Sequence, residues 1–305
     1  MIPKKLLLGD TIGIIAPSNP INDEDIDDIN SSIKLVEKEG FRIKLGENVF
    51  SNKLGYGATV QEKAYDINKM FSDEHIKAIF CARGGFNSNS LFEYINYELI
   101  ANNPKIICGF SDSTSIINII NEKTGLVTFH GPTFKGLASW DLEYGFKEVI
   151  KRFVDKDIKL IRNNEQVKII RKGLCTGKLV GGNLSLFSRM ICGKYNLDLQ
   201  DKILFIEDLG IESNPAMISN YFYYMKQNDV FKKIKGLWIG DYEHESNITM
   251  EEILLDTIED EYNFPIVKSD NFGHCDKKTV IPIGTVAKID TNTNEIIGLL
   301  ENCIN

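Results

Sequence analysis

Three segments of the sequence contain residue types that could together carry out one reaction. Ser111 lies in the segment Gly-Phe-Ser-Asp-Ser-Thr (109–114), directly after an apolar run. Glu207 follows the apolar run 203–206, and His274 follows Phe-Gly near the C-terminus. A serine hydroxyl becomes a strong nucleophile only when a base removes its proton and a third group orients that base. The order predicts a catalytic relay of Ser111 as nucleophile, His274 as base and Glu207 as orienting acid.

The segment around Ser111 is typical of a tight turn between a strand and a helix. The residues two positions before and after it, Gly109 and Ser113, are small, as a sharp reversal of the chain requires. The pattern Gly-x-Ser-x-Ser matches the Gly-x-Ser-x-Gly elbow of α/β-hydrolases only in part. A serine after a strand is also an ordinary helix N-cap, and Asp112 competes for that role. From the local pattern alone, Ser111 could be either a catalytic nucleophile or a helix N-cap.

Gly84 and Gly85 follow the preceding long strand and are candidates for an oxyanion hole. Paired glycines let backbone N–H groups approach a ligand closely and form part of an anion-binding nest. Together with the backbone N–H of Asp112, they could stabilise a developing oxyanion, and such a donor accelerates a reaction by about 10²- to 10³-fold. The alternative is a simple turn.

Glu207 is predicted to emerge where a buried strand meets the surface, while Asp208 points to the opposite side of an extended strand. Of the four histidines, His130 ends another predicted strand and could line the same cleft, which makes it a candidate for substrate binding. The sequence has no His-Glu-x-x-His or comparable ligand spacing. We therefore expect no metal site and no cofactor.

Composition excludes several classes of protein. The 305 residues carry a net charge of −8, which argues against a nucleic-acid partner because phosphate binding needs clustered Lys and Arg. No apolar stretch approaches the roughly 20 residues that span a bilayer. The apolar stretch at the N-terminus is too short for a signal peptide. The six cysteines are scattered without a Cys-x-x-Cys pair. We expect a reduced, cytoplasmic protein without a disulfide framework, zinc site or membrane partner.

Apolar strands and amphipathic helices alternate through residues 1–135, including a helix that Thr59 and Glu62 open as a capping box and a helix over about 88–101. This alternation predicts an α/β domain with a doubly wound, mostly parallel sheet, in which Ser111 follows a strand end. Ligands bind at such ends in open α/β sheets. Residues 136–172 are charged, lack this rhythm and are interpreted as a connecting region with a helix over about 142–154. Residues 173–305 are predicted to form a second α/β domain, with helices that begin after Asn214 and Thr249.

Taken jointly, several segments resemble the LD-carboxypeptidase family of serine peptidases, which includes muramoyl-tetrapeptide carboxypeptidases and microcin C immunity peptidases. The resemblance extends over nearly the whole chain. It rests on the order and spacing of the segments 9–18, 82–85, 109–114, 128–132, 181–184, 204–208, 272–274 and 281–284.

The resemblance implies a Ser111-Glu207-His274 triad divided between a Rossmann-like N-terminal domain and a smaller C-terminal domain with a β-barrel-like core. It also implies a metal-independent, cytoplasmic homodimer that cleaves an amide between an L-centre and a D-residue, such as the one that releases D-alanine from recycled murein tetrapeptide. A carboxypeptidase must recognise a free carboxylate. Arg83 is the candidate, because a guanidinium group pairs bidentately with a carboxylate.

Two other functions remain open. One is a microcin-C-type peptidase that cleaves the amide between an aminoacyl or peptidyl group and a nucleotide-like moiety. The segment 87–90 resembles that branch, whereas the segments 82–85 and 272–274 resemble the tetrapeptide branch. The other is a two-domain protein that binds a small ligand without chemistry. An α/β-hydrolase is disfavoured because a long connecting region and a second set of strands precede the acid.

Overall fold

The chain divides into two units, each with its own sheet. The computed structural model describes residues 1–138, 145–154 and 160–305. The first unit comprises residues 1–156, 276–282 and 303–305. The second comprises residues 157–275 and 283–302. The chain therefore leaves the first unit, forms most of the second, and returns to the first twice.

The first sheet is made by strands that alternate with helices along the chain. Its elements are β1 (Thr11–Ile15), α1 (Ile26–Lys38), β2 (Arg42–Leu45), α2 (Val60–Ser72), β3 (Ile76–Cys81), α3 (Tyr97–Asn102), β4 (Ile106–Gly109), α4 (Thr114–Thr124), β5 (Thr128–His130) and α5 (Gly145–Val154). β1 pairs in parallel with β2 and β3, β3 with β4, and β4 with β5. The parallel arrangement brings the carboxyl ends of these strands to one edge of the sheet.

Buried strands and aromatic packing form the core of the first unit. Every residue of β4 is buried, as are the last four of β3. Phe80 packs edge-on against Phe134 and Phe153, at ring-centroid distances of 6.5 and 5.9 Å. Thr59 is the N-cap of α2, and its side chain accepts a hydrogen bond from the N–H of Glu62, as the sequence predicts.

The second unit contains a larger mixed sheet. Its elements are β6 (Leu160–Arg162), β7 (Lys168–Arg171), β8 (Leu174–Asn183), α6 (Leu184–Ile191), β9 (Ile203–Glu207), α7 (Pro215–Gln227), α8 (Val230–Lys233), β10 (Gly236–Ile239), α9 (Met250–Ile258), β11 (Ile266–Lys268), β13 (Val286–Asp290) and β14 (Ile297–Leu299). The intervening β12 (Ile281–Ile283) joins the first sheet beside β5. The order across the second sheet is β6-β14-β13-β8-β9-β10-β11-β7.

The centre of the second sheet is parallel and its flanks are antiparallel. β9 pairs in parallel with β8 and β10, and β10 pairs in parallel with β11. β13 and β7 pair antiparallel with β8 and β11, and the antiparallel part made by β8, β13, β14 and β6 curls into a half-barrel. The predicted α/β fold class, with a parallel first sheet and a barrel-like second core, is confirmed.

Two groups of elements differ from the sequence analysis. The helix expected over about 88–101 is a 3₁₀ turn (Ser88–Leu91) followed by the separate α3, because the side chain of Asn96 caps a new helix by accepting from the N–H of Leu99. The region 136–172 contains β6 and β7, which join the second sheet. The helix expected over 142–154 begins at Gly145, and residues 142–144 lie outside the described ranges.

Among the helices of the described ranges, none combines the length and the apolar character that crossing a membrane would require.

Candidate active site

Ser111 adopts a backbone conformation that non-glycine residues rarely take. It follows β4 by two residues and has φ = +59°, in the left-handed region. A 3₁₀ turn (Ser111–Ser113) then leads directly into α4. A residue held in this region costs about 1–2 kcal/mol, so it persists where its surroundings fix it. This geometry is that of a sharp strand-to-helix elbow, with the serine at its apex.

Gly84 lies against the side chain of Ser111. A Cβ atom on Gly84 would be 3.1 Å from Oγ of Ser111 and 3.2 Å from its Cβ. At Gly85, where φ is +138°, a Cβ would be 2.4 Å from Oδ1 of Asn19. The same Asn19 oxygen accepts a hydrogen bond from the N–H of Phe86 at 3.1 Å. Because Gly84 has no side chain, the loop backbone can approach Ser111, and because Gly85 has none, the loop can pack on Asn19.

Asp112 fixes the turn that follows Ser111. Its carboxylate accepts a hydrogen bond from the N–H of Ser88 at 2.9 Å, and its carbonyl accepts one from the Ser88 hydroxyl at 2.6 Å. Burial raises the pKa of Asp112 above its ordinary value, against the lowering effect of hydrogen bonds from Ser18 and Ser88 and of the charge of Lys63. The side chain of Asp112 therefore has a structural task, while its backbone is the part predicted to act on a substrate.

Arg83 pairs with a carboxylate of its own unit. Its Nη1 donates to the buried carboxylate of Asp25 and lies 3.7 Å from Glu24. Lys135 also donates to Asp25. A guanidinium group has five N–H donors, and the pairing with Asp25 uses only some of them. Arg83 thus has a structural partner that the sequence analysis did not foresee.

His130 lies beside the strand that carries Ser111. It is opposite Gly109 in the parallel pairing of β4 and β5, and its side chain is buried, with 1% exposed. Its ring packs edge-on against Phe110 at a centroid distance of 6.1 Å. Lys278 lies over the same Phe110 ring, with Nζ 4.3 Å from its centroid. His130 is therefore part of the packing beneath the serine turn.

In the second unit, Glu207 and His274 are in contact. Glu207 is the last residue of β9 and is fully buried, and its Oε2 lies 2.7 Å from Nδ1 of His274. The carboxylate favours the tautomer in which Nδ1 carries the proton and donates it in this hydrogen bond. Nε2 then carries the lone pair that can accept a proton. The arrangement matches a base with its orienting acid.

The loop before His274 is positioned by close packing. Phe272 is fully buried between Trp238 and Phe205, at centroid distances of 4.7 and 6.0 Å. Gly273 has φ = +101°, and a Cβ there would be 2.7–2.8 Å from Cβ, Cγ and Oε2 of Glu207. A larger residue at 273 would displace the acid. Phe272 thus anchors the loop in the core, and Gly273 lets it approach Glu207 closely, so that His274 is held beside this carboxylate.

Asp208 has a different role from its neighbour. Its carboxylate accepts hydrogen bonds from the N–H groups of Ser185 and Leu209, both at 2.8 Å, and from the Ser213 hydroxyl at 3.1 Å. It therefore caps the start of α6 and the loop after β9. Burial, and then the charge of Glu207, raise the pKa of Asp208 to about 6.

An open cleft of about 930 Å³ also lies in the second unit, and none of the predicted site residues lines it. Its walls are formed by 210–212, 214, 242–245, 247–249 and 268. Within residues 1–138, 145–154 and 160–305, no group of three or more His, Cys, Asp or Glu residues could hold a metal ion.

Each unit thus assembles part of the predicted site. The first brings Gly84 against Ser111, and the second brings Glu207 to His274. Asn19 and Asp25, which hold the loop over 83–86, were not predicted from the sequence. The one signal for Asn19 is its place four residues after the end of β1, and Asp25 resembles any acidic residue at a helix start.

Comparison with known proteins assigns the chain to a family. Residues 12–131 match the LD-carboxypeptidase N-terminal domain, and residues 176–289 match the LD-carboxypeptidase C-terminal domain. The chain belongs to the LD-carboxypeptidase family, a family of peptidases.

Similar proteins fall into two groups by name. The chain is 31% identical to a "Probable murein peptide carboxypeptidase" of Bacillus subtilis, over 98% of this chain and 94% of that protein. It is 26% identical to the microcin C7 self-immunity protein MccF of Escherichia coli, over 97% and 95% of the two chains. A structure of MccF in complex with glutamyl sulfamoyl guanosine superimposes with a TM-score of 0.90 at 25% identity, covering 100% of this chain and 99% of that one.

Proposed function

We propose that this protein is a serine carboxypeptidase that hydrolyses an L,D-amide bond at the C-terminus of a small peptide. In this proposal Ser111 attacks the carbonyl carbon, forming an Oγ–C bond, and His274 takes the hydroxyl proton at Nε2. The C–N bond then breaks, and the leaving amine departs with that proton. Water next attacks the acyl-enzyme, with His274 again as base, and restores the Ser111 hydroxyl.

The hydrogen bond between Glu207 and His274 carries the proposal. A buried carboxylate 2.7 Å from Nδ1 leaves Nε2 as the basic nitrogen, which is what activation of a serine requires. It also stabilises the imidazolium that forms when the proton arrives. Membership of a peptidase family supports the same assignment.

The loop beside Ser111 supports the second part of the proposal. We assign the oxyanion hole to the backbone N–H of Asp112 and to those of Gly84 and Gly85. The close packing of Gly84 on Oγ of Ser111 puts this backbone within reach of a carbonyl bonded to that oxygen. Such donors act on charge that develops only in the transition state, so they accelerate the reaction rather than tighten binding.

The proposed substrate is a murein tetrapeptide that loses D-alanine during cell-wall recycling. The similarity to a murein peptide carboxypeptidase supports this choice. We further propose that the protein works in the cytoplasm as a homodimer without a metal. Arg83 is the proposed substrate contact and would bind the terminal carboxylate, whereas the substrate contact predicted for His130 does not agree with its buried ring, which is 1% exposed and packs against Phe110. If Arg83→Ala changes neither KM nor kcat on the tetrapeptide, that role is withdrawn.

A direct test combines turnover with covalent labelling. Purified protein is incubated with an L,D-tetrapeptide in the presence of EDTA, and released D-alanine is measured. We expect turnover that Ser111→Ala and His274→Ala abolish, and labelling of Ser111 by a fluorophosphonate that Ser111→Ala prevents. A folded wild-type protein that neither hydrolyses a substrate nor reacts with the probe would instead be a ligand-binding protein.

A second candidate substrate is an aminoacyl or peptidyl group joined by an amide to a nucleotide-like moiety. The likeness to MccF, whose structure contains glutamyl sulfamoyl guanosine, favours it. Both reactions use the same acyl transfer, so the triad variants do not separate them. Comparing kcat/KM for the tetrapeptide and for an aminoacyl sulfamoyl adenosine does, and the larger value identifies the substrate class.

A further inference from the structure

Asp25 is a buried carboxylate that joins distant parts of the first unit. It lies directly before α1, and its side chain is fully buried. One oxygen accepts from Nη1 of Arg83 and from the N–H of Asn22, and the other accepts from Nζ of Lys135. A buried charge is stable in a protein only when it is paired and hydrogen-bonded, and here both conditions hold.

Both cations belong to segments that form the base of the glycine loop. Arg83 directly precedes Gly84. Lys135 lies in the stretch after β5, where the N–H groups of Phe134 and Lys135 donate to the carbonyls of Cys81 and Ala82, each at 2.9 Å. Asp25 therefore ties the segment before α1 to the ends of β3 and β5.

The charges around Asp25 keep it ionised. Burial raises its pKa, but hydrogen bonds from Lys135 and Asn22 and the charges of Arg83 and Lys135 outweigh burial and hold the pKa below its ordinary value. Two further carboxylates, on Glu24 and Asp28, lie 3.7 Å from Arg83 and 3.9 Å from Lys135. The link between the three segments is therefore ionic at neutral pH.

The far end of the loop is held separately by Asn19 through Phe86. Between these two anchors lie only Gly84 and Gly85, which have no side chains to fix their own position. Catalytic donors must be placed accurately, since a displacement of about 1 Å costs about 10²-fold in rate. The accuracy of this loop must come from its anchors.

We propose that Asp25 is a positioning residue for catalysis: through Arg83 it holds the N–H groups of Gly84 and Gly85 where the oxyanion forms. This inference rests on the proposed function. It assigns to Arg83 a role in fixing the loop that does not require contact with the substrate.

The test compares Asp25→Asn with Glu251→Gln. Glu251 is a matched control because it is a buried carboxylate of the second unit that pairs with Lys168 and Lys268. We expect Asp25→Asn to lower kcat by about 10- to 100-fold, with KM within about twofold of wild type, because a misplaced donor weakens transition-state binding alone. The rate of fluorophosphonate labelling at Ser111 should fall in parallel. Glu251→Gln should lower the melting temperature and leave kcat unchanged.

Hydrogen exchange gives a readout that does not depend on turnover. In Asp25→Asn, the amides of residues 82–88 should exchange faster than in wild type, while those of β9 do not. Unchanged exchange in 82–88 would overturn the inference. So would wild-type kcat in the variant, or a rise in KM alone, which would mean that Asp25 serves carboxylate recognition by Arg83.

Failure of the proposed function has a different signature. In that case the wild-type protein itself shows neither hydrolysis nor labelling of Ser111. If wild type is active and Asp25→Asn matches it, only the inference about Asp25 fails.

Discussion

Glu207 and Asp208 are adjacent buried carboxylates with different hydrogen-bond partners. Glu207 contacts the imidazole of His274, whereas Asp208 accepts hydrogen bonds from backbone N–H groups and the Ser213 hydroxyl. Alternation along a strand places the two on opposite sides, so one can serve chemistry and the other structure. Both side chains are carboxylates, so their roles are distinguished by their hydrogen-bond partners and not by residue type.

Glu207→Gln tests the role of the acid. Glutamine keeps the size of the side chain but removes the charge that stabilises the imidazolium, and its amide can favour the wrong tautomer of His274. We expect kcat to fall by about 10³- to 10⁴-fold with a small change in melting temperature. Steady-state turnover and circular dichroism melts measure the two effects. Turnover within about threefold of wild type would show that Glu207 is not part of the relay.

The raised pKa of Asp208 should make the free energy of unfolding depend on pH. Its pKa is about 6 in the folded protein and about 3.9 in an unfolded chain, so the folded state holds this proton more tightly. Its contribution to the free energy of unfolding is therefore complete below about pH 4 and is lost as the pH rises through about 6. We expect the stability of wild type relative to Asp208→Asn to decrease between pH 4 and 7, as measured by urea unfolding.

Asp201→Asn is the control for this pH series. Asp201 is exposed, and a hydrogen bond from Lys235, followed by one from Gln200, lowers its pKa. Its contribution should change in the opposite direction, growing as the pH rises. A relative stability of wild type over Asp208→Asn that increases with pH would contradict the assignment for Asp208.

Among the elements, the turn between β4 and α4 stores strain at the residue proposed to react. Ser111 has φ = +59°, and the surrounding contacts from Gly84 and from the Ser88–Asp112 hydrogen bonds keep it there. Such strain is common where a side chain must be presented at the end of a sheet.

Two substitutions that both remove the hydroxyl can measure this strain. Ser111→Gly and Ser111→Ala should both abolish labelling and turnover, but the glycine variant should be more stable by about 1 kcal/mol, because glycine adopts this φ at little cost. Chemical denaturation measures the difference. At Ser115 in α4 the order should reverse, since alanine is favoured over glycine in a helix by about 1 kcal/mol. Equal stability of the two variants at 111 would show that the backbone at this residue is not strained.

The sequence predicts the elements whose local signals are strong. The capping box of Thr59 and Glu62, and Asn214 with Pro215, mark helix starts that the structure confirms. The break before α3 was missed because Asn96 lies inside an apolar pattern that continues through it. β6 and β7 were missed because each is very short, with three and four residues, and pairing with distant strands stabilises them.

From local patterns, the candidate site is predictable only where its residues are close in sequence, and the pairing of Glu207 with His274 was predicted from the order of the segments and the family resemblance. Gly109, Ser111 and Ser113 form a local pattern, and Gly273 precedes His274 directly. The Asp25 network leaves no such pattern, because its ion pairs join residues 58 and 110 positions apart. A charged residue near the start of a helix is common, so its partners become visible only in the folded chain.

At the scale of the whole molecule, the first unit is not one continuous segment. Residues 276–282 and 303–305 belong to it, and Val280, Ile281 and Ile304 are almost fully buried. β12 lies beside β5 at one edge of the first sheet. The backbone of Asn305 also exchanges hydrogen bonds with Pro3 and Lys5, both at 2.9 Å.

A fragment of residues 1–156 should therefore be less stable than the same fragment with 276–282 attached through a flexible Gly-Ser linker. Without β12, an apolar edge and the side chains beneath it are exposed to water. We expect a lower melting temperature and stronger binding of an apolar dye by the shorter fragment. Equal melting temperatures would show that the returning segment adds little to the first unit.

The returning segment also has a consequence for protein synthesis. A ribosome makes residues 157–275 before it makes the strand that completes the first sheet. The unit that contains Ser111 thus stays unfinished through most of translation, and nascent chains should need protection from aggregation until their final tenth has emerged.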